Sequence, residues 1–238
     1  MFAIINRLDK NFTMAEKKKP KAGGSGAGKA EDRIRRDPER TRARILEAAR
    51  VEFARRGLGG ARIDQITARA GSNKRMIYYY FGNKEALFLA ALESAYEHIR
   101  KAEQSLKLTD LDPAEGMRRL VRFTWEYYLA HPEFITLLNS ENLHRAEHLK
   151  KSKQIRAMHS PLLATLGGLL ERGARAGVFR RGVDPVQLYI SIAALGYFYL
   201  SNSHTLSTIF GRDLKRPQAL KQRLAHMTGL VLGYLSTR

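Results

Sequence analysis

Apolar residues recur at helical spacing almost throughout the chain from residue 37 onward, and no run alternates as a strand would. Asp37-Pro38 supplies a helix start, Ile45, Ala49 and Phe53 repeat every fourth position, and Gly57 stops the run. Two short helices follow, over about 63–70 and 73–80, with Gly71 in the turn between them. Gly82-Asn83 reopens a long helix to about Leu106. Asp112-Pro113-Ala114-Glu115 starts another, with its carboxylates placed like a capping box, and His131-Pro132 ends it and begins the next. A helix over about 145–175, kinked or broken at Pro161, comes next. After the turn Gly177–Gly182, Asp184-Pro185 opens a strongly apolar helix to about Phe210, and Pro217 opens the last. The class is all-α.

The first thirty residues lack this periodicity and hold Lys17–Lys19, Pro20 and a Gly/Ser tract. Such a composition buries too little apolar surface to offset ordering entropy, so residues 1–35 are expected to form a disordered basic tail. Met14 offers a second start position, which the intact mass of the native protein would distinguish. Gly23–Gly28 followed by Lys29 imitates a phosphate-binding loop, but Ala30 stands where a magnesium-ligating hydroxyl belongs and no strand precedes it. It reads as linker.

The chain has 238 residues and a formal net charge of +19, with no cysteine. The missing thiols exclude disulfide scaffolds, thiolate zinc sites and cysteine nucleophiles. Its longest strongly apolar stretch, Leu188–Leu200, is too short to span a bilayer, and the location expected is the cytoplasm, with no membrane partner. A basic total favours nucleic acid as a partner, but the excess is spread: +5 on residues 1–30, +5 on 31–94 and +9 on 95–238. Charge alone therefore does not locate a DNA-reading surface.

The three helices before residue 83 have the lengths and tight turn of a helix-turn-helix unit, with a core of Ile45, Ala49, Phe53, Ile63, Ile66, Ala70, Ile77 and Phe81. Within it, Ile63-Asp64-Gln65-Ile66-Thr67-Ala68-Arg69-Ala70-Gly71, Ser72 through Tyr78-Tyr79-Tyr80-Phe81, and Asn83-Lys84-Glu85-Ala86-Leu87 together resemble the DNA-binding domain of the TetR family of transcriptional regulators. The motif spans about residues 40–90. The resemblance implies a helix-turn-helix domain at 36–83 and a larger helical ligand-binding and dimerisation domain at 84–238.

A recognition helix needs short polar or basic side chains at its N-terminal end, and Ser72, Asn73, Lys74 and Arg75 stand there. Arg75 suits a bidentate contact to guanine, while Asn73 suits either an adenine edge or the helix cap. Met76 and Tyr79 offer apolar contact to thymine methyls, and the hydroxyls of Tyr78 and Tyr79 suit phosphate oxygens. Lys84 lies in the first turn of the next helix, where the backbone already favours phosphate. The resemblance implies backbone contacts for Tyr78, Tyr79 and Lys84. Where the family carries Thr or Ser capping the second helix this chain has Ala61, and Arg62 is the expected substitute for that phosphate contact. Arg75-Met76, in place of small residues, predicts a different base preference. Tyr80 suits either core or surface.

The resemblance gives the remaining helices two tasks, a ligand cavity and a homodimer interface. Stripes at Leu188, Ile192, Leu195 and Tyr199, and at Leu220, Leu224, Met227, Val231 and Leu235, fit an interface or the chain's own core, with Gly196, Gly229 and Gly233 allowing close approach. Candidate cavity residues are Tyr96, Trp125, Tyr128, Phe134, Asn139, Asn142, His159 and Asn202, aromatic walls with polar handles. Glu141, His144 and His148 have spacing that could hold a metal, but without further ligands they read as a solvated helix face, and no metal or other cofactor is expected. The function expected is therefore a DNA-binding regulator, most often a repressor, released from a pseudo-palindromic operator by a small molecule of unspecified identity. An architectural protein that binds DNA without sequence preference is the alternative, and an enzyme would rest on the histidine pair alone.

Overall fold

The structure is a computed structural model that describes residues 26–237, with side-chain surroundings given from Pro38 onward. Among the described residues there are ten α-helices and no β-strand, only an isolated bridge between Phe179 and Ser236. They are α1 (Gly26–Gly60), α2 (Ile63–Ala70), α3 (Lys74–Phe81), α4 (Lys84–Gln104) and α5 (Pro113–Ala130), then α6 (Pro132–Leu143), α7 (Lys153–Arg175), α8 (Pro185–Ser201), α9 (Ser203–Phe210) and α10 (Pro217–Leu235). Short 3₁₀ turns lie at Leu108–Asp110 and Leu149–Lys151. None of the described helices is long and apolar enough to cross a membrane.

Helix starts follow local chemistry. Asp112 accepts from the backbone N–H of Ala114 and Glu115 at 3.0 and 3.2 Å, and Asp184 accepts from Val186 at 2.7 Å, each beside a proline that has no N–H to satisfy. The box at Asp112 closes on one side only, because Glu115 turns to Arg118 at 3.7 Å. Gly57 ends the main run of α1 with φ +64, and Gly71 closes α2 in the left-handed region at φ +56.

Four boundaries depart from the sequence pattern. Helix α1 begins at Gly26, so Pro38 lies inside it and residues 26–35 are helical where a tail was expected; residues 1–25, with the start of the Gly-rich tract and Met14, fall outside the described residues. Arg145 and Ala146 adopt left-handed φ of 54° and 58°, which turns the chain back after α6 and delays α7 to Lys153. α7 then runs through Pro161 unbroken, with the Thr165 hydroxyl donating to the Pro161 carbonyl at 2.9 Å. The apolar helix ends at Ser201, because Asn202 leaves helical geometry before α9 starts.

The chain forms two compact units. One runs to Ala95 and takes back residues 136–152; the other comprises residues 96–135 and 153–238. The division thus falls within α4 and α6 and at the start of α7. In the first unit Ile45, Phe53, Ile66, Ile77 and Phe88 are fully buried, Phe53 meets Phe88 edge-on at 5.1 Å, and the Leu58 N–H donates to Ser140 Oγ at 3.2 Å. All eight proposed core positions fall inside except Ile63, which is half-buried. In the second unit α5 packs against α7, α8 and α10 around Met117, Leu120, Trp125, Leu166, Ile192 and Met227. Gly173 admits Phe179 so closely that a Cβ there would stand 2.0 Å from the ring.

Candidate functional site

Ile77 and Phe81 anchor α3 on its buried side, which turns its other face outward. Tyr78 and Tyr79 are 51% and 77% exposed, Lys74 and Arg75 are exposed, and Ser72 and Met76 are half-buried beside them. Tyr80 is half-buried and stacks edge-on with Tyr79 at 5.1 Å. The outward face of α3 thus carries two aromatic rings with their hydroxyls beside two cationic side chains.

Asn73 settles as the cap of α3: its Oδ1 accepts from the Met76 N–H at 3.1 Å. Lys74 meets Asp64 of α2 at 2.7 Å, and that contact raises the lysine pKa, through the hydrogen bond first and the charge second. Arg62 occupies the N-cap position of α2 without using its side chain as a cap, and that exposed side chain follows the buried Ala61. Lys84 opens α4, where Asn83 Oδ1 caps the Ala86 N–H at 2.7 Å, and its Nζ reaches the Gly59 carbonyl at 3.5 Å. Arg42, absent from the sequence argument, lays its guanidinium over the Phe81 ring at 5.1 Å.

The histidine pair does not lie on a helix face. Because the chain reverses at Arg145 and Ala146, His148 turns inward and is buried with Glu141. Glu141 accepts from the backbone N–H of His148 and Leu149 at 2.9 and 2.8 Å, and from His148 Nδ1 at 2.8 Å. His144 Nδ1 donates instead to the Ser140 carbonyl at 2.7 Å. No group of three or more metal-binding side chains occurs among the described residues.

Of the candidate cavity residues, four come together in the second unit. Tyr96 meets Phe134 at 5.5 Å and His159 at 5.3 Å, and Tyr128 stacks on Phe134 at 6.1 Å. Burial lowers the pKa of His159 and raises that of Tyr128, so both stay neutral near pH 7. Trp125 belongs to the hydrophobic core, edge-on to Tyr199 at 5.7 Å. Asn202 and Asn142 turn their amides back to carbonyls of their own helices, at Phe198 and Leu138, and Asn142, exposed, lies with half-buried Asn139 in the first unit.

Sequence reasoning missed the charged centre of this region. Arg100 and Glu103 are buried on α4, and Arg100 Nη2 donates to the Tyr189 hydroxyl at 2.8 Å. Both follow Tyr96 on one helix face, at i+4 and i+7, which was the signal available. The predicted apolar stripes of the last helices also resolve: Leu188, Ile192, Met227, Val231 and Leu235 are buried within the chain. What faces outward is a different set, Val186, Ile190 and Phe198 on α8 with Leu230 and Tyr234 on α10.

Comparison with known proteins agrees with this geometry. Residues 45–91 match the description "Bacterial regulatory proteins, tetR family", and residues 113–231 match "Tetracyclin repressor-like, C-terminal domain". The HTH-type transcriptional repressor NicS of Pseudomonas putida is 44% identical over 194 residues, covering 82% of this chain and 92% of that protein. The crystal structure of the putative transcriptional regulator SCO4942 from Streptomyces coelicolor superposes with a TM-score of 0.59 at 26% identity, over 82% of this chain and 98% of that one. A TetR regulator structure from Chloroflexus aurantiacus shares the fold, with a TM-score of 0.64 at 20% identity over 85% of this chain and all of its own. The chain belongs to the TetR family and is a helix-turn-helix, DNA-binding transcriptional regulator, not an enzyme.

Proposed function

We propose that the protein is a homodimeric cytoplasmic repressor that leaves a pseudo-palindromic operator when a small molecule binds its C-terminal helices. The observation that carries this is the α3 face: Tyr78 and Tyr79 stand exposed beside Lys74 and Arg75, while Ile77 and Phe81 hold the helix from behind. In this reading Arg75 and Met76 contact bases together with Ser72 and Tyr79, and Tyr78, Lys84 and Arg62 contact phosphates. Asn73 contributes by starting the helix, capping the end whose N–H groups would face DNA.

Two recognition helices on two half-sites require a dimer. The surface that supports one is the outward face of α8 and α10, where Phe198, Leu230 and Tyr234 line a groove of about 450 Å³ with Arg223. A Cβ at Gly229 or Gly233 would meet nothing within 4 Å, which leaves room for a second copy's helices. Effector binding then shifts a two-state equilibrium toward a conformer whose half-site spacing no longer fits.

Tyr79→Ala and Lys84→Ala, separately, should each weaken binding to an operator selected from random DNA while circular dichroism and the melting temperature stay unchanged. Undiminished operator binding by both variants would overturn the assignment. Equal competition by scrambled DNA would replace it with sequence-independent binding.

A further inference from the structure

Arg100 and Glu103 are 5% and 6% exposed, and their charged atoms approach to 2.8 Å. The approach is out of line for a hydrogen bond, and Arg100 Nε has no acceptor. Its Nη2 alone is well satisfied, by the Tyr189 hydroxyl, with the Tyr189 ring 5.4 Å from the guanidinium. Interiors seldom leave such donors unpaired, because each costs its full desolvation. Both residues line a cleft of about 150 Å³ between α4, the Leu108–Asp110 turn and α7, with Leu108, Met158 and Leu162 as apolar wall and Lys107 at the edge. That is the room of about five water molecules, so any occupant is short.

Resting on the effector-responsive reading above, we propose that this cleft binds a small carboxylic acid as its anion, the carboxylate accepting from Arg100 and replacing Glu103 as its counter-ion while Glu103 takes up a proton. A permanent buried cation with free donors matches a carboxylate, and the apolar wall matches a compact organic body. The groups facing Arg100 are Glu103 on α4, Tyr128 on α5, His159 on α7 and Tyr189 on α8, with Lys107 nearby. Burial keeps both tyrosines and the histidine neutral near pH 7. Burial also pushes the Glu103 carboxyl up to about 7 against the pull of Arg100, so its proton is available at little cost. With Glu103 protonated the centre carries one net positive charge; with it ionised, none.

The test is calorimetric titration of the full-length protein with benzoate, with uncharged benzamide of the same shape, and with inorganic phosphate, at about pH 6 and about pH 8. Benzoate should bind at least about tenfold tighter than benzamide. Its affinity should fall toward about tenfold per pH unit above 7 while benzoate itself stays ionised. Glu103→Gln should keep benzoate binding and lose the pH slope, and Arg100→Gln should lose benzoate. Equal binding of benzamide, no benzoate binding by the wild type, a flat wild-type pH profile, or binding of phosphate alone would overturn the proposal. The wild-type arms decide it whether or not the variants fold. Operator binding without any additive is measured alongside: its failure strikes the regulator reading, whereas loss of benzoate binding with operator binding intact strikes only the cleft.

Discussion

Glu103 sets the cost of leaving water against the attraction of a neighbouring cation, and burial wins: its pKa rises from 4.5 to about 7. The folded chain therefore holds this proton over a range where the unfolded chain has lost it. The stabilisation is complete below about pH 4.5 and is lost as pH rises through 7, a change on the order of 3 kcal/mol. Glu103→Gln, which mimics the protonated acid, should thus raise the melting temperature by several degrees at about pH 8 and leave it unchanged at about pH 4. A lower melting temperature at both would mean that the ion pair outweighs burial. The exposed Lys74–Asp64 contact has the opposite character, adding little to stability in water. Asp64→Asn should leave the melting temperature alone and strengthen DNA binding at low salt, because Lys74 loses its competing anion. The outward face of α3 was legible because a helix with buried Ile77 and Phe81 has only one other face. Arg100 and Glu103 were not, because periodicity gives the face a polar residue shares but not whether that face is covered.

Proline starts were the most legible elements: α5 and α8, capped by Asp112 and Asp184, and α10, with no side-chain cap, begin where Pro113, Pro185 and Pro217 stand. The return after α6 was not, since it depends on non-glycine residues at positive φ, held by a Glu141 carboxylate that accepts two backbone N–H groups. A helical pattern read straight through that segment turns a buried histidine into a surface one. The elements also differ in what they tolerate. Gly71→Ala places a Cβ in left-handed backbone and should cost about 1 kcal/mol, read by denaturant unfolding. Gly173→Ala meets the Phe179 ring, not open space, and should cost about 1–3 kcal/mol unless the segment after α7 shifts. Phe179→Leu in the Gly173→Ala background should recover part of that loss, because the two positions share one volume.

At the scale of the whole molecule, the net charge of +19 is too dispersed to define the DNA surface, and the case for it rests on one face of α3. Operator affinity should still fall steeply with salt, and Lys84→Ala should reduce the slope of log affinity against log salt by about one. Phe198→Asp with Tyr234→Asp should yield a monomer in sedimentation and a loss of operator binding, with the helix content retained. The outward apolar face of α8 and α10 carries a further consequence for the cell. With assembly through that face, the DNA-binding species forms as the square of chain concentration while monomer predominates, so halving gene dosage would cut operator occupancy toward one quarter. Reporter output in strains of graded copy number should show that curvature, and a covalently tandem dimer should make it linear.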